Sequence, residues 1–338
     1  MTRARIGAAA ALLVAGGWGG ACAPPGAGAP VLERAPVRAA AVDARAAARI
    51  PPRDPAHAAH YLAFPTADAL TAFLDARSAA GTLVSAHRGG PGPGYPDNSL
   101  QTFERATSFG PMLVELDVRR TADGQLVILH DDEVSRTTDG QGRVGTLTLD
   151  SLLRLRLRDA AGTPTAHPVP SLAEALEWAA GRAVLRLDVK GAVTPEAVVG
   201  AVRAADASNR VMVIARSPDE VRRYRALAPD LALSFWYDPD GDGRLSLAEA
   251  RSLLATALAT PRTVVGVGSV RAGWEAAVLD TLRAHGIRGM VSTFGALDSV
   301  AATDGAWEAY CPLVAAGVGV LVTDAAREAA RAVRACPA

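Results

Sequence analysis

Nine short apolar runs recur along the chain, most of them separated by amphipathic stretches, and this alternation restricts the fold more than any other feature. The runs are 83–87 (LVSAH), 112–118 (MLVELDV), 126–130 (LVILH), 183–189 (AVLRLDV), 210–215 (RVMVIA), 231–236 (LALSFW), 263–268 (TVVGVG), 289–293 (GMVST) and 319–324 (GVLVTD). Between them lie segments with helical spacing: SLQTFERAT, SLAEALEWAA, SPDEVRRYRALA, LAEARSLLATAL, WEAAVLDTLRAHG and DAAREAARAV. Ahead of them TADALTAFLDARSAAG predicts a helix capped by Thr66 and ended by Gly81. Strand–helix repetition implies a parallel sheet, and runs that are apolar throughout suit strands covered on both faces. Nine candidates over about 250 residues predict an α/β fold of the TIM-type (β/α)8 barrel class, with one surplus strand. A doubly wound open sheet is the alternative, but the G-x-G-x-x-G turn it would carry after its first strand is absent.

The composition narrows the function classes. The 338 residues are 49% hydrophobic and 21% charged, which excludes a mainly disordered chain. Lysine and arginine number 35, as do aspartate and glutamate, so no basic surplus points to nucleic acid. Residues 1–22 read as an export signal: Arg3 and Arg5, the apolar stretch IGAAAALLV, then Gly19, Gly20 and Ala21 before Cys22. Cys22 is either a lipid attachment point, tethering the protein to a membrane, or part of a simple secretion signal. The expected location is therefore periplasmic, cell-surface or secreted. Residues 23–65 are rich in Ala and Pro and predict a disordered tether, with His57 and His60 as surface residues at its end. The folded domain is expected over 66–338. Cys311 and Cys336 then remain as a pair, either bonded to each other or left as two buried thiols.

Chemistry in a barrel gathers at the carboxyl ends of the strands. Those ends carry His87 and Arg88, Glu115 and Asp117, His130 with Asp131 and Asp132, and Asp188 and Lys190. Glu115 and Asp117 alternate on one strand and so point to one face, where two buried carboxylates need a cation or a proton. With Asp188 they offer three hard oxygen ligands, suited to Mg²⁺ or Ca²⁺. His87 and His130 are candidate base and acid, while Arg88 and Lys190 are candidate phosphate contacts. Such a set describes phosphodiester cleavage.

These residues sit in motifs that resemble a known family. AHRGGPGPGYPDNSLQTFERA is similar to the HRG…PENT opening of the glycerophosphodiester phosphodiesterases, and VELDVRRTADGQLVILHDDEVSRTTDGQGRVGTLTLDSL to their ELDV…DG…HDD…RTT.G.G motif. VPSLAEALEW, LRLDVK and GVGVLVTD fit later landmarks, so the likeness spans about 82–332. It implies a β/α barrel that hydrolyses glycerophosphodiesters to sn-glycerol 3-phosphate and an alcohol. In that reading His87 is the base and His130 the acid. Arg88 and Lys190 contact phosphate, and Glu115, Asp117 and Asp188 hold the divalent metal. The sequence departs from the family in three places: Asp188 stands for a Glu ligand, Asp97 for the Glu of PENT, and Ser292-Thr293-Phe294 for a Trp-Thr motif. Two other readings are a related barrel phospholipase acting on intact phospholipids, and a catalytically weak calcium-binding surface module.

A second metal signal is DPDGDGRLSLAE, residues 238–249. Asp238, Asp240 and Asp242 take positions 1, 3 and 5 of a twelve-residue calcium loop, and Gly243 makes its turn. Arg244 offers its carbonyl, Ser246 takes position 9, and Glu249 supplies the bidentate carboxylate. An apolar strand precedes it, so the expectation is an EF-hand-like loop after the sixth strand, holding a structural Ca²⁺. His167 and His285 receive no role.

Overall fold

The computed structural model describes residues 47–78, 81–236, 238, 247–260, 262–270 and 276–337. Its strands are β1 (Leu83–Ala86), β2 (Met112–Arg120), β3 (Leu126–Ile128), β4 (Arg156–Arg158), β5 (Pro164–Pro168), β6 (Val184–Val189), β7 (Val211–Ala215), β8 (Ala232–Trp236), β9 (Thr263–Ser269), β10 (Gly289–Ser292) and β11 (Val320–Thr323). Eight of them form parallel staves in the order β1-β2-β6-β7-β8-β9-β10-β11, and β11 pairs back onto β1. That closure makes the barrel and excludes the open sheet.

The surplus run is β3, which folds back antiparallel on β2 and pairs Ile128 with Val118. The loop at 238 therefore follows the fifth stave, not the sixth. Of its predicted ligands Asp240, Asp242, Arg244 and Ser246 lie outside the described residues. Glu249 is buried in the first turn of helix Leu247–Ala259. Between β2 and β6 the chain makes an excursion through β3, helix Leu149–Leu153 and the β4–β5 hairpin, a hairpin that the apolar runs did not signal. The excursion has its own core of Val127, Leu129, Val134, Val144, Leu152, Leu157 and Val169.

The predicted helices form, and their caps explain where they start. Ser99, Ser171 and Ser217 each accept from the backbone N–H three residues on, and Ser171 with Glu174 completes a capping box. Helix Pro195–Ala204 was not among the expected ones, although Thr194 caps it and Pro195 opens it. Cys311 and Cys336 are bonded, with Cα atoms 5.3 Å apart, tying helix Cys311–Ala315 to the end of helix Ala326–Ala335.

The tether expected over 23–65 does not extend that far: the described part from 47 packs on the barrel. Ile50 joins the outer core, Leu62 and Phe64 the inner one, and Leu62 N–H donates to Arg182 C=O (2.8 Å). His57 lies 3.5 Å from Asp54 and 3.8 Å from Glu104, and His60 Nδ1 3.0 Å from Thr107 O, so both are anchored rather than free at the surface.

The barrel floor is closed by helix Ala67–Leu74, capped by Thr66 as predicted but ending well before Gly81. Arg288 explains the early end: its guanidinium donates to the carbonyl of Leu74 (3.1 Å), to Ser78 Oγ (2.8 Å) and to Gly81 C=O. Leu70 and Leu74 meet the lowest inward residues of the staves, Leu83, Leu113, Val184, Met212, Ala232, Val264, Met290 and Val320. Leu70 is fully buried. Leu70→Ala should cost about 2–5 kcal/mol of unfolding free energy in chemical denaturation, the usual range for emptying a core leucine site.

Candidate active site

Side chains alternate along each stave, so the column above Leu113 on β2 is Glu115 then Asp117, and the column above Val184 on β6 is Arg186 then Asp188. The register pairs Glu115 with Arg186 and Asp117 with Asp188. Glu115, Asp117 and Asp188 are buried, and one oxygen from each lies within 4.8 Å of the others. The predicted carboxylate cluster is therefore assembled.

The turn after β1 brings the next residues in. Arg88, Gly89 and Gly90 all have positive φ (50°, 88° and 72°). A Cβ on Gly89 would come within 2.4 Å of the Phe103 ring, which explains the glycine after His-Arg. This turn aims the Arg88 backbone N–H at Glu115 Oε2 (2.8 Å) and its guanidinium at Asp97 (3.1 Å) and Asp117 (3.4 Å). Asp97 thus restrains Arg88. Lys190, just past the end of β6, places Nζ 2.6 Å from Asp188 Oδ2 and 3.1 Å from Asp117 Oδ1.

The two histidines are built alike. His87 Nδ1 lies 2.7 Å from Asp324 Oδ1, and Nε2 lies 4.0 Å from Glu115 Oε2. Its ring packs on Phe294 with centroids 4.3 Å apart. His130 Nδ1 lies 2.7 Å from Asp131 Oδ1, while its backbone C=O accepts from Arg119 Nε (2.7 Å). Arg136 pairs with Asp131 and holds that carboxyl far below the usual range. With Nδ1 committed to a carboxylate, Nε2 is the ring nitrogen left for chemistry in both.

Burial pushes Glu115 up to about 7, reinforced by Asp117 and Asp188 and opposed by His87 and Arg186. Burial also works against a charged His87, but Glu115 and Asp324 outweigh it and raise its pKa. At Asp188 burial is outweighed in the other sense, by Arg216 and then Lys190, which keep the carboxyl ionised.

Several functional residues escaped the sequence reading. Arg216 directly follows β7, and Asp324 directly follows β11, so the strand-end rule that found His87 applied to both. Asn98 lies in PDNS beside Asp97: its Nδ2 donates to Asp117 Oδ2 (2.8 Å) and its Oδ1 accepts the Asp117 N–H (3.0 Å). Asp298 gave no signal. It is buried, accepting from Thr293, Tyr310 and Thr323 hydroxyls at 2.6, 2.8 and 2.9 Å and from the Asp324 N–H at 2.8 Å. Thr293 therefore supports the rim from below. His167 lies 3.2 Å from Gly94 O and His285 2.9 Å from Thr281 O.

The donor set fits a hard divalent ion. All three groups are carboxylates, and buried Asp117 Oδ1 accepts no hydrogen bond although Lys190 Nζ is close. Removing a partner that orients such a ligand commonly costs 10–100-fold, so Asn98→Ala should lower kcat/KM by about that factor, and it should also lower the melting temperature because the buried Asp117 N–H loses its acceptor.

In sequence and fold the chain is similar to known proteins. The model of the glycerophosphoryl diester phosphodiesterase family matches residues 87–294. A glycerophosphodiester phosphodiesterase of Caldanaerobacter subterraneus is 31% identical over 163 residues, which cover 46% of this chain and 67% of that protein. Glycerophosphodiester phosphodiesterase 1 of Homo sapiens is 38% identical over 113 residues, covering 31% of this chain and 33% of that one. The crystal structure of a glycerophosphoryl diester phosphodiesterase from Parabacteroides distasonis superimposes with a TM-score of 0.73 at 28% identity, over 82% of this chain and 95% of the other. On this match the chain belongs to the glycerophosphoryl diester phosphodiesterase family.

Proposed function

We propose that this protein is an exported phosphodiesterase that hydrolyses glycerophosphodiesters, with a divalent metal, to sn-glycerol 3-phosphate and an alcohol. One observation carries the reading: two histidines, each with Nδ1 on a carboxylate, accompany a buried three-carboxylate cluster at one barrel mouth. A phosphodiesterase of the same fold from Oleispira antarctica, 20% identical with a TM-score of 0.57, is known in complex with the product sn-glycerol-3-phosphate.

Glu115, Asp117 and Asp188 would hold the metal, Ca²⁺ or Mg²⁺. Bound there, it supplies positive charge to a non-bridging phosphate oxygen. His87 Nε2 takes the proton of the attacking hydroxyl, which in the family reading is the substrate's own glycerol hydroxyl, giving a cyclic phosphate that water then opens. Asp324 holds the ring and stabilises its charged form. His130 Nε2 gives a proton to the departing alcohol, and Asp131, fixed by Arg136, steadies it. Arg88 and Lys190, positioned by Asp97, Asp117 and Asp188, balance the phosphate charge. On sequence grounds the proposal also includes export, with Cys22 as lipid attachment point or a secretion site, and a structural Ca²⁺ at 238–249.

The test is release of glycerol 3-phosphate from glycerophosphocholine and glycerophosphoethanolamine, with Mg²⁺, with Ca²⁺ and with EDTA. EDTA should abolish release, and His87→Ala or His130→Ala should each lower it by about 10²–10⁴-fold. Lipid phosphate released from intact phospholipids instead would favour the phospholipase reading. Turnover of no phosphodiester would leave a surface module. The pH dependence gives a finer check. Because Asp324 raises the pKa of His87, Asp324→Asn lowers it, so the base form persists to lower pH. The acid limb of kcat/KM should move to lower pH while the maximum rate falls.

A further inference from the structure

The surroundings of Asp188 carry an inference that rests on the metal-dependent reading above. Arg216 Nη2 lies 2.6 Å from Asp188 Oδ1 and 2.7 Å from Oδ2, and Lys190 Nζ lies 2.6 Å from Oδ2. Both oxygens of this buried carboxylate are thus occupied by cations of the chain itself. The other two ligands differ. Glu115 Oε2 receives a neutral backbone N–H, and the cations beside Asp117 stand further off, Lys190 Nζ at 3.1 Å and Arg88 Nε at 3.4 Å.

An ion ligated by Asp188 must sit about 2.0–2.6 Å from one of its oxygens. There it would meet the Arg216 guanidinium on the same two atoms, and two cations cannot share that position. Lys190 is an unsuitable candidate to leave, because it is only 20% exposed and also pairs with Asp117. Arg216 comes from a neighbouring strand end and its side chain is 49% exposed, so it can return to water at little cost.

We propose that Arg216 is a built-in competitor for the metal position on Asp188, a positioning residue that sets how tightly Glu115, Asp117 and Asp188 take a divalent ion. Asp188 is then a conditional ligand. It is held by Arg216 when the ion is scarce and released to the ion when it is abundant. The competition also suits an Asp in place of the family's Glu, since the shorter side chain keeps the carboxylate close to its own strand, near the end of β7.

Calorimetric titration of the full chain with Mg²⁺ tests this, using wild type, Arg216→Ala, Arg216→Lys and Glu115→Gln, with thermal unfolding of each to show that it is folded. The binding lost in Glu115→Gln reports the barrel site. Arg216→Ala should bind Mg²⁺ at that site about tenfold more tightly or better, and Arg216→Lys, which keeps a cation, should stay nearer wild type. Binding seen in Arg216→Ala but not in wild type supports the same competition in a stronger form. Equal or weaker affinity in Arg216→Ala, with binding still lost in Glu115→Gln, overturns the role of Arg216 and leaves the metal reading standing. Binding that survives Glu115→Gln, or no binding in any variant, overturns both.

Discussion

The parallel pairing of β2 with β6 sets Asp117 beside Asp188 and Glu115 beside Arg186, inside the barrel and away from bulk water. Ionised carboxylates in such a place are costly unless compensated, and almost every other feature of the mouth supplies compensation. Arg88 contributes its guanidinium to Asp97 and Asp117 and its backbone N–H to Glu115, through a turn of three left-handed residues. Lys190 bridges Asp117 and Asp188, Arg216 grips Asp188, and Asn98 clamps Asp117 from two sides. Burial pushes Glu115, which has the least direct cation contact, up towards neutrality.

The barrel tolerates this charged layer because it is packed below. The inward column of each stave begins with an apolar residue, and helix Ala67–Leu74 seals the floor with Leu70 and Leu74. Arg186 marks the border between the layers. It is buried and donates to Ser234 Oγ at 3.0 Å, so its charge serves the carboxylates above without opening the core to water. On the far side, Asp298 gathers three hydroxyls and the Asp324 N–H. The carboxylate that orients His87 is thereby fixed by its own backbone as well as by its strand.

Much of this was legible in the sequence, for reasons specific to the residues concerned. Staves buried on both faces write themselves as continuous apolar runs, and the polar residues at the end of each run mark the mouth, as His87, Glu115, Asp117, Asp188 and Lys190 do. Arg216 and Asp324 obey the same rule, yet no partner nearby in sequence drew attention to them. Their partners, Asp188 and His87, lie 28 and 237 residues away. Asp298 was illegible in principle, because an aspartate in the first turn of a helix reads as a dipole partner until tertiary structure surrounds it with hydroxyls. The end of the expected tether, from residue 47, departs from expectation for the opposite reason. Its composition argued disorder, but Ile50, Leu62 and Phe64 find apolar surface that only the finished barrel presents.

The two histidines, similar in their contacts, are mounted differently, and the difference matches their proposed roles. His87 stands directly after β1, with its side chain 20% exposed and flanked by Glu115 and Asp324, so its charge state is tied to the carboxylate cluster. His130 stands on the excursion, 33% exposed, over a separate core. That excursion is not independent of the site. Leu129 N–H donates to Asp117 C=O (3.0 Å), and Arg119, two residues beyond Asp117, holds the His130 carbonyl. The backbone of β2 therefore carries two metal-ligand candidates on its inner face and, through its outer end, anchors the proposed proton donor. A shift of β2 that disturbed the carboxylates would displace the acid with them, so the distance between the charged cluster and the leaving-group side of the reaction is set by one strand rather than by the packing of two domains.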